Sequence, residues 1–175
     1  MIIAIDSYYY SDTDCYTVGV MFDKWDQEKP SKIMSCRSSD FEIYRPGNFY
    51  KRELPGILRI LEVVSESGIQ IDTVVLDSYI DLMDRDGNIS AGLGNHLRQV
   101  VGESRFHIIG VAKTLYGKCN EISSPVRRGN ATNPIWVQGS GITNEEAANL
   151  VYSMYGSYKI PNLLRILDKE TKKYR

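Results

Sequence analysis

Ile2-Ile3-Ala4-Ile5 and Val74-Val75-Leu76 are short, uninterrupted apolar runs, and each is followed at once by an aspartate, Asp6 and Asp77. Runs of this kind suit strands buried on both faces, at the centre of a sheet with helices on either side. Between them, the segment from Phe49 to Ser67 carries apolar residues at Leu54, Ile57, Leu58, Leu61 and Val64, the period of a helix, and Gly68 closes it. Pro55 falls in the first turns, where a missing N–H is tolerated. A helix between two parallel strands is the crossover that such strands require. Parallel neighbours bring Asp6 and Asp77 to one sheet edge, and the crossover helix can carry Glu53, just inside its start, over the same edge. Three converging carboxylates cannot all stay ionised without a cation. Oxygen donors select hard ions, so Mg²⁺ is the expected partner, with Mn²⁺ able to substitute. Either Asp taken singly reads equally well as a turn residue or a helix cap.

The rest of the chain fits one domain spanning residues 1–175. Residues 2–6 form the first expected strand, Cys15 to Phe22 alternates apolar and polar side chains, and Lys32 to Arg37 reads as an edge-like third strand. A strand follows over Ile71–Asp77, a helix over Ala91–Val101 closed by Gly102, and strands over Phe106–Lys113 and Ile135–Gln138. Asp84 to Asn88 is a polar turn. Thr143 with Glu146 three residues on is a capping box, opening a helix to Tyr155, and Leu163–Tyr174 reads as a last helix. Three antiparallel strands followed by alternating helices and parallel strands is the ribonuclease H-like order: an α/β fold with a mixed sheet flanked by helices.

No stretch is apolar for long enough to span a bilayer, and the chain starts in a strand with no signal-peptide pattern, so a cytoplasmic protein with no membrane partner is expected. Cys15, Cys36 and Cys119 are scattered, with no C-x-x-C pair, and read as reduced, mostly buried thiols. The formal net charge of −1 does not favour nucleic-acid binding, but a local basic stripe remains open at Lys51 and Arg52, at Arg127 and Arg128, and from Lys169 to Arg175. Each of these reads equally as solvated surface.

Tyr44-Arg45-Pro46-Gly47 followed by Arg52-Glu53-Leu54-Pro55 resembles the endonuclease V pattern, in which a Tyr-x-Pro-Gly turn precedes Arg-Glu-x-Pro. Gly92-Leu93-Gly94-Asn95-His96-Leu97 is similar to that family's G-L-A-S-H-L segment, and Ile109-Gly110-Val111-Ala112-Lys113 matches its I-G-V-A-K strand. Ile135-Trp136-Val137 with Gly139-Ser140-Gly141-Ile142-Thr143 resembles its V-Y-V-S-P-G-H-R-I-S strand and turn. The resemblance implies a Mg²⁺-dependent endonuclease that cuts the second phosphodiester 3′ to deoxyinosine in DNA or inosine in RNA. Asp6, Glu53 and Asp77 would hold the metal, and Lys113 would steady the phosphate or its leaving group. Pro46 restricts Arg45 to extended geometry and Gly47 permits a tight turn, giving a stiff loop. By resemblance that loop is a wedge that parts base pairs, led by Tyr44. Ser140 stands where the family has a His near the metal, and is expected at the mouth of the carboxylate cluster, in contact with nucleic acid.

The pattern departs from the family at that His, at the absent H-P-R, at Ser78-Tyr79-Ile80-Asp81 in place of a glycine-containing turn after Asp77, and in the short stretch from Lys113 to Pro134. These changes touch the base pocket and leave the carboxylates and Lys113 alone. Two alternatives therefore stand beside inosine cleavage: a nucleic-acid-binding homologue that no longer cuts at inosine, and a ribonuclease H-like nuclease for another substrate. His96 fits best as a packing residue below the site. Tyr8-Tyr9-Tyr10, expected in a loop overhanging the site, suits either base stacking or cover for a hairpin.

Overall fold

The computed structural model describes residues 1–11, 14–38, 50–102 and 105–173. A seven-stranded mixed sheet runs through the molecule in the order β3-β2-β1-β4-β7-β9-β8. The strands are β1 Ile2–Ser11, β2 Asp14–Phe22, β3 Lys32–Ser38, β4 Thr73–Leu76, β7 His107–Ala112, β8 Ser124–Val126 and β9 Ile135–Ser140. A separate two-stranded hairpin, β5 Asp81–Met83 with β6 Ile89–Ala91, turns at the polar Asp84–Asn88 segment. The helices are α1 Tyr50–Glu66, α2 Leu93–Val101, α3 Asn144–Ser153 and α4 Asn162–Thr171.

The first three strands are antiparallel, and β4 and β7 run parallel to β1, as the apolar runs and the crossover helix require. β9 differs from the expected direction. It is antiparallel to β7, because the unanticipated β8 forms a hairpin with it and turns the chain back. Three residues including a proline are too short a run to announce a strand. β1 is also longer than expected: the tyrosine triplet continues the strand, paired with β2 at Tyr8↔Tyr16 and Tyr9↔Cys15, where a loop was anticipated.

Strand alternation divides the interior into two layers. Ile3, Ile5, Val74, Leu76 and Ile108 pack on the face covered by α1 and α2, together with Ile57, Ile60, Leu61, Val64, Leu93 and Leu97. Ala4, Val75, Ile109 and Val111 pack on the other face with Ala147, Val151, Leu163, Leu164 and Leu167 of α3 and α4. The Thr143–Glu146 capping box opens α3 as expected. Among the described residues no helix is long and apolar enough to cross a membrane.

Candidate metal centre

Register places the first two acids. Ile5 of β1 pairs with Leu76 of β4, and Leu76 pairs with Gly110 of β7, so Asp6, Asp77 and Val111 lie one step further along the three strands. By alternation Asp6 follows Ala4 and Asp77 follows Val75, which assigns both to the α3/α4 face. There they meet Asp168 of α4: one carboxylate oxygen from each of Asp6, Asp77 and Asp168 lies within 4.8 Å of the others. Lys113, just past β7, donates to both Asp77 and, at 3.4 Å, Asp168. Lys172, one turn beyond Asp168, reaches the same Asp168 oxygen at 2.7 Å.

Glu53 comes from the opposite side of the sheet on α1 and is buried, 8% exposed. It stands outside the tight trio, yet the charges of Asp6 and Asp77 both raise its pKa. Its height over the strands is set at Gly56, one turn later. A Cβ there would lie 2.1 Å from Thr17 Oγ1, so α1 sits as close to β2 as a glycine allows. Arg52 beside it is buried too, with its guanidinium 4.0 Å from the centre of the Tyr9 ring and a hydrogen bond of 3.3 Å to the Ser11 carbonyl. Gly110 serves a parallel purpose on β7: a Cβ there would be 2.6 Å from the Ser78 carbonyl, so the chain leaving Asp77 passes directly over the strand that carries Lys113.

Burial drives Glu53 up to about 8, with Asp6 adding to the effect and the neighbouring Tyr9 hydroxyl opposing it. Burial also lifts Asp6, to about 7, with the Asp77 carboxylate reinforcing the shift and Ser7 N–H and Lys113 working against it. Asp77 is raised by burial and held back by Lys113. Asp168 is the exception. Burial works against its ionised form, but Lys172 and Lys113 pull it below its ordinary value. The cluster thus binds positive charge readily, as protons or as the Lys113 ammonium. Its donor set fits a small hard cation: Asp6, Asp77 and Asp168 gather the carboxylate oxygens that such an ion takes, with Glu53 behind them.

Asp168 was not singled out from the sequence. The available signal was its place on the buried stripe of α4, four residues after Leu164 and three before Thr171, both buried. Ser140 requires a correction. It ends β9 opposite Ile108, at the start of β7, whereas Lys113 follows the end of β7. Five residue steps, about 16 Å at ~3.3 Å per residue, separate Ile108 from Lys113, so Ser140 is at the far edge from the carboxylates. There its hydroxyl and carbonyl accept from Arg98 at 3.0 Å each. The cause is the reversed direction of β9. Tyr44, Arg45, Pro46 and Gly47 lie outside the described residues. His96 stacks on Tyr50 at the start of α1, with ring centroids 3.4 Å apart, and so packs as expected. Of the basic residues considered as surface, Arg52 and Arg128 are buried.

No protein-family profile and no curated protein sequence matches this chain. Solved structures do. Human endonuclease V is similar with a TM-score of 0.76 at 17% identity, over 99% of this chain and 83% of that one. Endonuclease V of Ciona intestinalis, in complex with DNA containing an inosine followed by a ribo-adenosine, gives 0.79 at 17% identity, over 98% of this chain and 83% of that one. The Bacillus subtilis enzyme gives 0.66 at 15% identity, over 98% and 78%. With its mixed sheet, its flanking helices and nearly its whole length superposed on these structures, the chain has the fold of endonuclease V.

Proposed function

We propose that this chain is a divalent-metal-dependent endonuclease of the endonuclease V kind, which cuts DNA or RNA at a phosphodiester 3′ to deoxyinosine or inosine. The observation that carries the proposal is the convergence of Asp6, Asp77 and Asp168, with Glu53 and Lys113 beside them, at one edge of an endonuclease V fold. The sequence motifs support it, since Glu53 and Lys113 lie within segments matched to the family pattern. The free thiols Cys15, Cys36 and Cys119 suit the reducing cytoplasm.

Asp6, Asp77 and Asp168 would hold the ion, Mg²⁺ or Mn²⁺. The ion supplies neutralisation of the phosphate and a water of lowered pKa. Glu53, buried beside these acids, would hold or accept a proton at its carboxylate. Lys113 remains charged, because the pull of Asp77 and Asp168 outweighs its burial, and its ammonium can turn from Asp77 to a non-bridging or leaving phosphate oxygen. Tyr44, Arg45, Pro46 and Gly47 precede α1, the helix that carries Glu53, and would supply the wedge that opens a duplex around the target base.

End-labelled oligonucleotides with one deoxyinosine or one inosine, against guanine controls, with Mg²⁺ or with EDTA, test the proposal. Cutting that needs both the inosine and the metal is expected. Metal-dependent cutting that ignores the inosine would assign the chain to another ribonuclease H-like substrate, and binding without cutting would refute the nuclease assignment.

A further inference from the structure

A cleft of about 530 Å³ opens on the α4 side of the carboxylate cluster, sharing Lys113 and Asp168 with it. Ile160, Asn162, Arg165, Ile166 and Lys169 complete its lining. Arg165 and Lys169 are one helical turn apart, both are exposed, and neither joins an ion pair among the described residues. Arg165 instead lies over the ring of Tyr158, 4.2 Å from its centre. Tyr158 belongs to the connection between α3 and α4, which also presents Tyr155; the two rings' residues are 62% and 47% exposed.

This connection is held from beneath. The Arg128 guanidinium, buried, donates to the carbonyls of Tyr152 at 3.3 Å, Gly156 at 2.8 Å and Tyr158 at 3.1 Å, and to that of Met154. Asn162 N–H closes the loop onto the Tyr155 carbonyl at 2.9 Å. Three carbonyls of the loop and one from the end of α3, gathered on one buried cation, fix the backbone of a loop whose tyrosines face water. Apolar burial therefore does not account for the rings' position.

We infer that this surface is a path for an unpaired strand of nucleic acid, with Arg165, Lys169 and Lys113 following the phosphates and Tyr158 and Tyr155 stacking on the bases. Interleaved cations and exposed aromatic rings on a rigid support are what sequence-tolerant single-strand recognition requires. The cleft's volume accommodates a nucleotide, and its charge complements a phosphate chain. Its opening at Lys113 and Asp168 directs a strand lying in it onto the carboxylate cluster. The strand path presupposes the nuclease function proposed above for its direction. It specifies the substrate further, as one melted or single-stranded on the α4 side of the cut.

The test is fluorescence anisotropy on the full chain, in EDTA to prevent cleavage. The probes are a labelled 12-nucleotide DNA, an RNA of the same sequence, and the matching DNA duplex, none with inosine. The single strands are expected to bind more tightly than the duplex, and the DNA and RNA arms show which backbone the path prefers. Arg165→Ala with Lys169→Ala should lower the slope of log affinity against log salt by about 1.4, from ~0.7 per phosphate contact on a single strand. Tyr158→Ala should weaken binding roughly tenfold, from the stacking of a base on an aromatic ring, and Tyr158→Phe should restore it. Unchanged melting temperatures confirm that each variant is folded. Single-strand affinity and salt slope left intact in the folded variants would overturn the inference, as would equal losses on duplex and single strand. Inosine cleavage by wild type is scored separately. Cutting without any effect of these variants on binding sinks the strand path alone, and variant-sensitive binding without cutting sinks the nuclease alone.

Discussion

Glu53→Gln replaces the most deeply buried acid near the carboxylate cluster by a neutral group of almost the same shape, and its effect on stability should grow with pH. Burial and Asp6 raise Glu53 from 4.5 to about 8 in the folded chain. A carboxyl raised on folding contributes stability that is complete below its unfolded pKa and is lost as pH rises through its folded pKa. In the metal-free protein the loss therefore spreads between pH 4.5 and about 8. At about 1.4 kcal/mol per pH unit, the ionised group costs on the order of 3–5 kcal/mol at the top of that window. For a domain of this size that is roughly 10 °C in melting temperature. The assay is thermal unfolding in EDTA at half-unit steps of pH. Wild type and Glu53→Gln should melt together near pH 5 and separate steadily above it, the variant being the more stable at about pH 8.5. His96, whose pKa is lowered by burial, is common to both proteins and cancels in the difference. Mn²⁺ or Mg²⁺ should remove much of the wild-type pH dependence by favouring the ionised cluster, and should release protons into a weak buffer near pH 7. Parallel melting curves for the two proteins across the whole range would show that Glu53 ionises as an ordinary surface acid, and would refute the electrostatics assigned to the site.

Asp168→Asn should abolish metal-dependent stabilisation and cut cleavage at least 100-fold while leaving the metal-free fold intact, read by melting with and without Mn²⁺ beside the oligonucleotide assay. Lys113→Ala removes the ammonium shared by Asp77 and Asp168. The metal-free protein should lose about 1–2 kcal/mol, discounted because Lys113 is partly exposed, and Mn²⁺ should stabilise this variant more than wild type. Gly56→Ala puts a methyl against Thr17 Oγ1 and should cost about 1–3 kcal/mol in urea unfolding, with a loss of activity at permissive temperature because α1 carries Glu53 away from Asp6. Tyr44→Ala should slow cutting of duplex lesions more than of single strands, and equal losses on both would contradict a wedge.

The sheet was legible wherever a strand was long and uniformly apolar. β1 and β4 announced themselves through Ile2–Ile5 and Val74–Leu76, and with them came the positions of Asp6 and Asp77. α1 and α3 were equally plain, one from its period and the other from its capping box. The shortest elements escaped. β8 and the β5–β6 hairpin have three residues per strand, too few for any periodicity to show. Missing β8 reversed β9 and carried Ser140 to the wrong edge of the sheet. Asp168 escaped for a different reason. With Lys172 four residues on, it looks like half of an ordinary solvated helix pair, and only the packing of α4 across β1 brings its carboxylate to Asp6 and Asp77. Arg128 read as half of a basic surface pair, though its guanidinium is enclosed by the carbonyls of the α3–α4 loop.

The carboxylate cluster joins the first strand of the sheet to the last helix, since Asp6 lies on β1 and Asp168 on α4. The junction is tied a second time nearby, where the Tyr10 hydroxyl donates to the Thr171 carbonyl at 2.7 Å. Contacts between such distant parts of a chain form late, because the loop between them must close first. During synthesis, β1, β4 and α1 leave the ribosome with Asp6, Asp77 and Glu53 long before α4 does. A nascent chain therefore carries an incomplete ligand set until α4 has emerged and docked across β1. A ribosome-bound fragment ending before Asn162 should bind no divalent ion at this site, since the full set of oxygen donors is acquired only once α4 has docked.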